Sequence, residues 1–320
     1  VSVAVDDDFQ VRAGQYRREL VVHCYRLLGS VHEAEDLVQE TMERAWRAWD
    51  RYDEELASVR TWLYKIATNA CLGALRGRKH RPLPSGLGSP NDDPDAPLVP
   101  SFDVPWLEPF PDTRLGDPLR HVVRRGSLRL ALVAAMQLLP PRQRAVLILR
   151  DVLEFTAAEV AEQLDTSVAA VNSALQRAKA GLRGTGEEGI AEPDDATVRT
   201  ALDRYIRAFE AADVDTLVTL LTDDAVLEMP PVQLWCRGRV DYGRFLARLF
   251  ATRGKHWRML PVSANTQPAI AAYCRAADGV YRPHSVQVFT VAGNEIAHNV
   301  VFVDQRVLAT FGLPVLEFTS

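Results

Sequence analysis

The sequence predicts a multidomain chain in which two all-α domains, a helical bundle and a helix-turn-helix, are followed by an α+β cone. Three observations predict it. Apolar residues recur at three- and four-residue spacing through residues 12–80 and again through 127–184, marking one buried face of successive α-helices. A proline-dense stretch, 81–126, separates those two segments. Beyond residue 195 the helical spacing gives way to short strand-like runs, two of them joined by Gly293-Asn294, a hairpin signal.

The bulk numbers bound the function. A chain of 320 residues holds two or three domains of the usual ~100–150 residues. Hydrophobic residues at 47% and charged residues at 25% exclude a disordered or fibrous protein. A net charge of −5 argues against nucleic-acid binding by overall charge, so any such function must lie in local charge pattern. Apolar runs fall short of the ~20 residues that span a bilayer, so no membrane partner is expected. The acidic start, Asp6-Asp7-Asp8, lacks the basic opening of a signal peptide. Cys24, Cys71, Cys236 and Cys274 form no C-x-x-C pair and have no histidine at zinc-ligand spacing. They read as reduced thiols of a cytoplasmic protein, with no metal or cofactor.

In residues 12–80, Ala34, Leu37, Val38, Thr41, Met42, Ala45, Trp46 and Trp49 make the apolar face of one helix. Asp36, Gln39, Glu40 and Glu43 line the opposite face. From Leu56 through Asn91 there is no Asp or Glu, whereas Arg60, Lys65, Arg76, Arg78, Lys79 and Arg81 all occur there, with Trp62 and Tyr64 among them. Leu63, Ile66, Ala67, Ala70, Cys71 and Leu75 form the buried stripe; Lys65, Thr68, Asn69 and Arg76 fall away from it. Cations neutralise phosphates and aromatic faces stack on unpaired bases, so this helix suits nucleic acid.

The stretch 81–126 carries ten prolines, which break helix and sheet alike and mark a linker. Within it Trp106, Leu107 and Phe110 form an aromatic docking segment, either tucked against one domain of the chain or offered to a partner. A second, shorter linker is expected over Thr185–Asp194.

Residues 127–184 carry the helix-turn-helix signature. Pro140-Pro141 closes one helix and opens the next. Thr156-Ala157-Ala158-Glu159 is a capping box. Asp165-Thr166 makes the turn, with Thr166 as N-cap, and the last helix covers Ser167–Leu182. Its inward residues start at Val168; Asn172, Ser173, Gln176, Arg177 and Lys179 face outward. Asn and Gln match adenine edges, and Arg matches guanine or phosphate, which points to a major-groove recognition helix.

Residues 195–315 read as helices over Asp195–Ala212, Asp215–Leu221 and Arg239–Ala251. Strands follow at Ala225–Met229, Trp257–Ala264, Ala269–Arg275, Ser285–Ala292 and Glu295–Phe302, in a curved antiparallel sheet.

These motifs resemble a known family. Ala34-Glu35-Asp36-Leu37-Val38-Gln39-Glu40-Thr41 resembles the core-binding helix of bacterial sigma factors, and Arg60 to Asn69 the promoter-melting segment after it. Leu139 to Ala178 resembles the C-terminal sigma domain, in the order and spacing of the extracytoplasmic-function (ECF) group. Leu220 to Pro231 resembles SnoaL-like domains of the NTF2 superfamily, and the combination resembles the SigG-type ECF factors.

The resemblance implies a protein that brings RNA polymerase core to promoter DNA. Asp36, Gln39, Glu40 and Glu43 would meet the β′ clamp helices, with the β subunit a further contact. Trp62 and Asn69 would lie at the −10 element, beside Arg60 and Lys65, where a base is flipped out; Arg76, Arg78, Lys79 and Arg81 would hold backbone there. Asn172, Ser173, Gln176, Arg177 and Lys179 would read the −35 element, with Arg150 on a phosphate. The linker would thread towards the polymerase active centre.

The cone is expected to be regulatory and to bind a small-molecule ligand; the sequence is silent on an anti-sigma factor. Two alternatives stay open. One is a one-component DNA-binding regulator that senses a ligand. The other is a bifunctional protein with an enzymatic cone, whose general base would come from Asp223, Asp224, Glu228 or His298.

Overall fold

A computed structural model describes residues 2–91, 93, 96–115, 127–183 and 194–316. The expected second linker lies outside them except for Asp194, as does the 116–126 end of the first. The chain divides into two compact units, Val1–Arg81 with Asp112–Glu188, and Pro82–Pro111 with Gly189–Ser320.

The first unit is helical. It contains α1 (Ser2–Ala13), α2 (Arg17–Leu28), α3 (Val31–Arg47) and α4 (Val59–Ala74). After 112 come α5 (Leu130–Gln137), α6 (Pro141–Leu147), α7 (Ala157–Gln163) and α8 (Val168–Leu182). Local chemistry sets the ends. Gly29, at φ 71°, closes α2 in the left-handed conformation that glycine adopts without strain. Ser30 then caps α3 by accepting from the Glu33 amide, and Ser58 caps α4 through Thr61. Helix α1, up to its last two residues, lies outside the segments that the sequence pattern marks as helical. Phe9 meets the Trp49 ring edge-on at 5.2 Å, and the Trp49 indole donates to Asp8 at 3.1 Å.

The expected capping box is present: the Thr156 hydroxyl accepts from the Glu159 amide, and the Glu159 carboxylate accepts from the Thr156 amide. Its hydrogen bonds hold the Glu159 carboxyl below the usual range. α6 runs on through a π-type turn, Ile148–Val152. One cap and three side chains differ from expectation. Ser167, not Thr166, caps α8, because Asp165 takes a positive φ of 49° and shifts the turn by one residue. Trp46 and Val168 are 48% and 44% exposed rather than buried, whereas Thr68, expected outside, is buried and hydrogen-bonded to the His23 ring at 2.8 Å.

A buried polar joint ties the two helical segments of this unit together. The Arg144 guanidinium donates to the carbonyl of Leu27 at the end of α2, to Gln137 Oε1 at 2.7 Å, and to the carbonyls of Gln137 and Leu139. Arg26 donates to Ser127 Oγ at 2.8 Å. Burial pulls both guanidiniums down to about 10, and carbonyl oxygens around Arg144 and a hydroxyl at Arg26 stand where carboxylates usually would.

The second unit is the α+β cone. Helices α9 (Asp195–Glu210), α10 (Val214–Thr219) and α11 (Arg239–Arg253) pack on one face of a six-stranded sheet, and α12 (Gln305–Thr310) follows the last strand. The strands are β1 (Leu221–Glu228), β2 (Trp235–Arg237), β3 (Trp257–Ala264), β4 (Gln267–Arg275), β5 (Tyr281–Ala292) and β6 (Glu295–Phe302), in the order β2-β1-β6-β5-β4-β3. The sheet is not wholly antiparallel as expected, since β1 runs parallel to β6. That pairing needs the long crossover between them. Phe209, Phe250 and Trp257 meet edge-to-face between helices and sheet, contacts worth about 0.5–1.5 kcal/mol each beyond their area.

Candidate nucleic-acid interface

The proposed −10 residues stand along one helix and its basic tail. On α4, Arg60 pairs with Glu19 at 3.1 Å and lies over the Tyr64 ring, while Trp62 packs into an aromatic cluster with Trp49 and Tyr52. Burial and Glu19 push the Tyr64 hydroxyl well above its usual range, so it stays protonated as a donor to Glu19. Arg76, Arg78 and Lys79 are exposed beyond the helix end, but Arg78 and Arg81 both reach Glu33 at 2.9 Å.

The exposed face of α4 is in contact with the helix-turn-helix. The Asn69 amide donates to the Gln163 carbonyl at 3.1 Å, Lys65 approaches Glu162 at 3.8 Å, and Phe155 packs edge-on to Tyr64. The sequence carried no signal of this arrangement.

On α3 the acidic face forms as the spacing requires. Asp36, Gln39 and Glu43 are exposed and Glu40 is half-buried. Glu40 pairs with Arg44 at 2.5 Å and Glu43 with Arg47 at 3.7 Å, both one turn on, so two of the three carboxylates already have a cation.

On α8, Asn172, Gln176, Arg177 and Lys179 are exposed and Ser173 half-buried, in one outward row. Lys179 is paired with Asp151 at 2.7 Å. Arg150, expected on a phosphate, is half-buried and donates to the Phe155 carbonyl, closing the turn before α7.

The docking segment of the linker belongs to the cone unit. Phe110 is fully buried, its amide donates to Asn265 Oδ1 at 2.8 Å, and its carbonyl accepts from the Asn265 amide at 2.8 Å. Leu107 is buried too, and the Trp106 indole donates to the Ser101 carbonyl at 2.7 Å. Further along, Trp235 donates to the Gly88 carbonyl and Arg248 to the Ala96 carbonyl. Of the two readings of Trp106, Leu107 and Phe110, the tuck against a domain of the same chain is the one seen.

The four candidate bases of an enzymatic cone lie outside its cavity. That cavity, about 30 Å³, lies between the helices and the sheet. Asp223 and Asp224 are exposed on β1, Asp223 paired with Arg239. Glu228 is only 1% exposed but follows the inward Leu227, so strand alternation turns it to the other face of the sheet. There Glu228 Oε1 meets His298 Nε2 at 2.8 Å, and Oε2 accepts from the Ser85 amide of the linker at 2.7 Å. Glu228 thus bonds both His298 and the linker backbone. The described residues include no cluster of three or more potential metal ligands and no helix long and apolar enough to cross a membrane.

Residues 13–81 match the model for Sigma-70 region 2, 129–182 that for Sigma-70 region 4, and 202–299 that for a SnoaL-like domain. ECF RNA polymerase sigma factor SigG of Mycobacterium tuberculosis is 47% identical over 313 residues, covering 96% of this chain and 84% of SigG. SigJ of the same organism is 34% identical over 209 residues, 65% of this chain and 60% of SigJ. The crystal structure of SigJ superposes with a TM-score of 0.65 at 25% identity, covering 92% of this chain and 96% of that one.

Proposed function

On the premise that the chain belongs to the ECF RNA polymerase sigma factors, we propose that its SnoaL-like cone restrains initiation by holding the linker. The sigma activity, directing polymerase core to promoter DNA, comes with the family. The distribution of work within the chain is our reading. Residues 12–80 carry core binding through Asp36, Gln39, Glu40 and Glu43, and −10 binding through Trp62, Asn69 and the basic tail. Residues 127–184 carry −35 reading through α8. Residues 195–315 form a non-catalytic regulatory domain, and the whole acts in the cytoplasm.

One observation carries the regulatory part: the Pro82–Pro111 part of the linker is fastened to the cone near both of its ends, Ser85 on Glu228 and Phe110 on Asn265. A linker that must thread into polymerase has to leave these sites first. Run-off transcription with core enzyme and a cognate promoter tests it. A chain truncated after residue 183, and the full chain carrying Asn265→Gly, should both initiate more than the intact protein. Equal activity of all three overturns the restraint, and failure of every form to bind core overturns the sigma assignment.

A further inference from the structure

We propose that the cavity between the helices and the sheet of the cone is a binding site for a small, uncharged molecule with an apolar body and one hydrogen-bond-donating group, and that strand β6 passes its occupancy to the linker. The inference rests on the reading that the cone holds the linker, and adds what would release it.

The polar groups of the cavity are arranged around a missing donor. Gln287 Oε1 accepts from the Tyr205 hydroxyl at 3.1 Å and from Asn299 Nδ2 at 3.0 Å. Asn299 Nδ2 also donates to the Tyr242 hydroxyl oxygen at 2.7 Å. These bonds fix the Asn299 amide with its nitrogen toward Gln287 and Tyr242. Its oxygen is left buried with no partner, on a residue that is 1% exposed. Buried polar atoms are normally satisfied, so a whole amide acceptor left open beside a cavity marks a place for a ligand. His284 Nδ1 is unpartnered at the same cavity. Burial and Arg253 bring the His284 ring down to about 4, so it is neutral at physiological pH.

The rest of the lining sets the ligand class. Phe209, Leu227, Met229, Phe245, Leu246 and Trp257 supply apolar and aromatic walls, and no carboxylate, lysine or arginine among the described residues lines the space. A charged ligand would be buried without a counter-charge. An apolar body ending in a hydroxyl or amide N–H satisfies both the walls and Asn299. At about 30 Å³ the cavity holds about two waters at ~10–15 Å³ each, so a larger ligand must displace side chains and shift the strand it binds.

That strand connects to the linker within one residue. Asn299 points into the cavity, and the adjacent His298 points to the opposite face, against Glu228, whose other oxygen holds the Ser85 amide. Movement of β6 that seats a donor on Asn299 therefore displaces the group that positions Glu228.

The test uses the full-length chain, with phenol as probe and toluene as the same shape without a donor. Calorimetry should show phenol binding at least ten times tighter than toluene. Asn299→Leu should remove that preference, and Leu246→Trp, which fills the cavity without touching the polar cluster, should abolish binding of both. Hydrogen exchange of the Ser85 amide should speed up at least tenfold with phenol, and not in His298→Phe, which still binds phenol. Absence of phenol binding, or equal binding of toluene, overturns the site. Binding that leaves Ser85 exchange unchanged overturns the relay. Neither result touches the linker restraint, which stands or falls on the transcription of the truncated chain and Asn265→Gly.

Discussion

The side-chain amide of Asn69, at the centre of the predicted −10 face of α4, donates a hydrogen bond of 3.1 Å to the main-chain carbonyl of Gln163, the last residue of α7. With Lys65 beside Glu162, the same face cannot at once take DNA. A sigma factor binding a melted strand through Asn69 must first part these helices. Glu162→Arg should therefore help the free chain bind a single-stranded −10 oligonucleotide. Exposed pairs are worth about 0.2–1 kcal/mol, so the gain is at most about fivefold. In the polymerase holoenzyme, with the helices apart, the variant should match the parent. Anisotropy titrations showing the same gain in both states would mean that the added positive charge simply attracts DNA.

Two histidines, buried His23 and half-buried His284, give each unit its own acid sensitivity. Burial, then Arg26 and Arg60, lowers His23 to about 3; His284 in the cone falls to about 4. Unfolded histidine binds a proton near 6.5 and the folded rings do not. Both units should therefore be fully stable above that value and lose stability as pH falls below it. For His23 the loss is about 1.4 kcal/mol per pH unit, continuing down to its folded value. Urea melts at pH 7 and pH 5 should show it, and His23→Gln should flatten the dependence for the helical unit alone. A pH-independent melt of that unit in the parent would contradict a neutral His23.

How far the sequence reached depends on the range of the forces involved. The capping box at Thr156 and the alternation of β6 are local and were legible. Helix α1 was not: the run Ser2–Ala13 has little apolar periodicity and is held by Phe9 on Trp49, a contact far along the chain. The parallel pairing of β1 with β6 is likewise non-local. Proline density marks the linker, but its backbone partners, Glu228 and Asn265, lie more than 100 residues on. The outward direction of Glu228 could have been read from alternation with Leu227; its cover by Ser85 could not.

Asn265 is built for its role in anchoring Phe110. It sits at φ 56°, a left-handed conformation that Asn adopts at less cost than Ala. Asn265→Ala orphans the Phe110 amide, at about 1–3 kcal/mol, and adds ~1–2 kcal/mol of backbone strain. Asn265→Gly incurs only the first. Thermal melts should rank parent, Gly, then Ala, and limited proteolysis should cut within 82–111 faster in both variants. Unaltered protection of the linker in both would show that Phe110 is held by packing alone.

On α3 the partners within the helix predict an order of effects. Glu43 carries Arg47 at 3.7 Å and accepts from Gln39 at 3.4 Å, and Glu40 carries Arg44. To bind a basic surface these carboxylates must exchange one cation for another, whereas Asp36 is exposed with no cation one turn on. Asp36→Ala should weaken core binding more than Glu43→Ala, measured by competition for labelled core enzyme. The reverse order would remove Asp36 from the centre of the polymerase interface.

Arg177 and Lys179 face outward from α8, but among the described residues only Lys179 of the two is tied to a carboxylate, Asp151 at 2.7 Å. The pair suggests different work. If Arg177 makes a bidentate contact to guanine, Arg177→Ala should cost about 1–3 kcal/mol and relax selectivity at one position of the −35 element. A lysine on phosphate carries no sequence information. Lys179→Ala should weaken all promoters alike and reduce the slope of log affinity against log salt by about 0.9. Because Lys179 must leave Asp151 to bind, Asp151→Asn should strengthen binding, and should have no effect when combined with Lys179→Ala. Holoenzyme titrations on promoters varied at single −35 positions separate these cases. Equal loss on every sequence for Arg177→Ala would place that arginine on the backbone and leave Asn172 and Gln176 as the base readers.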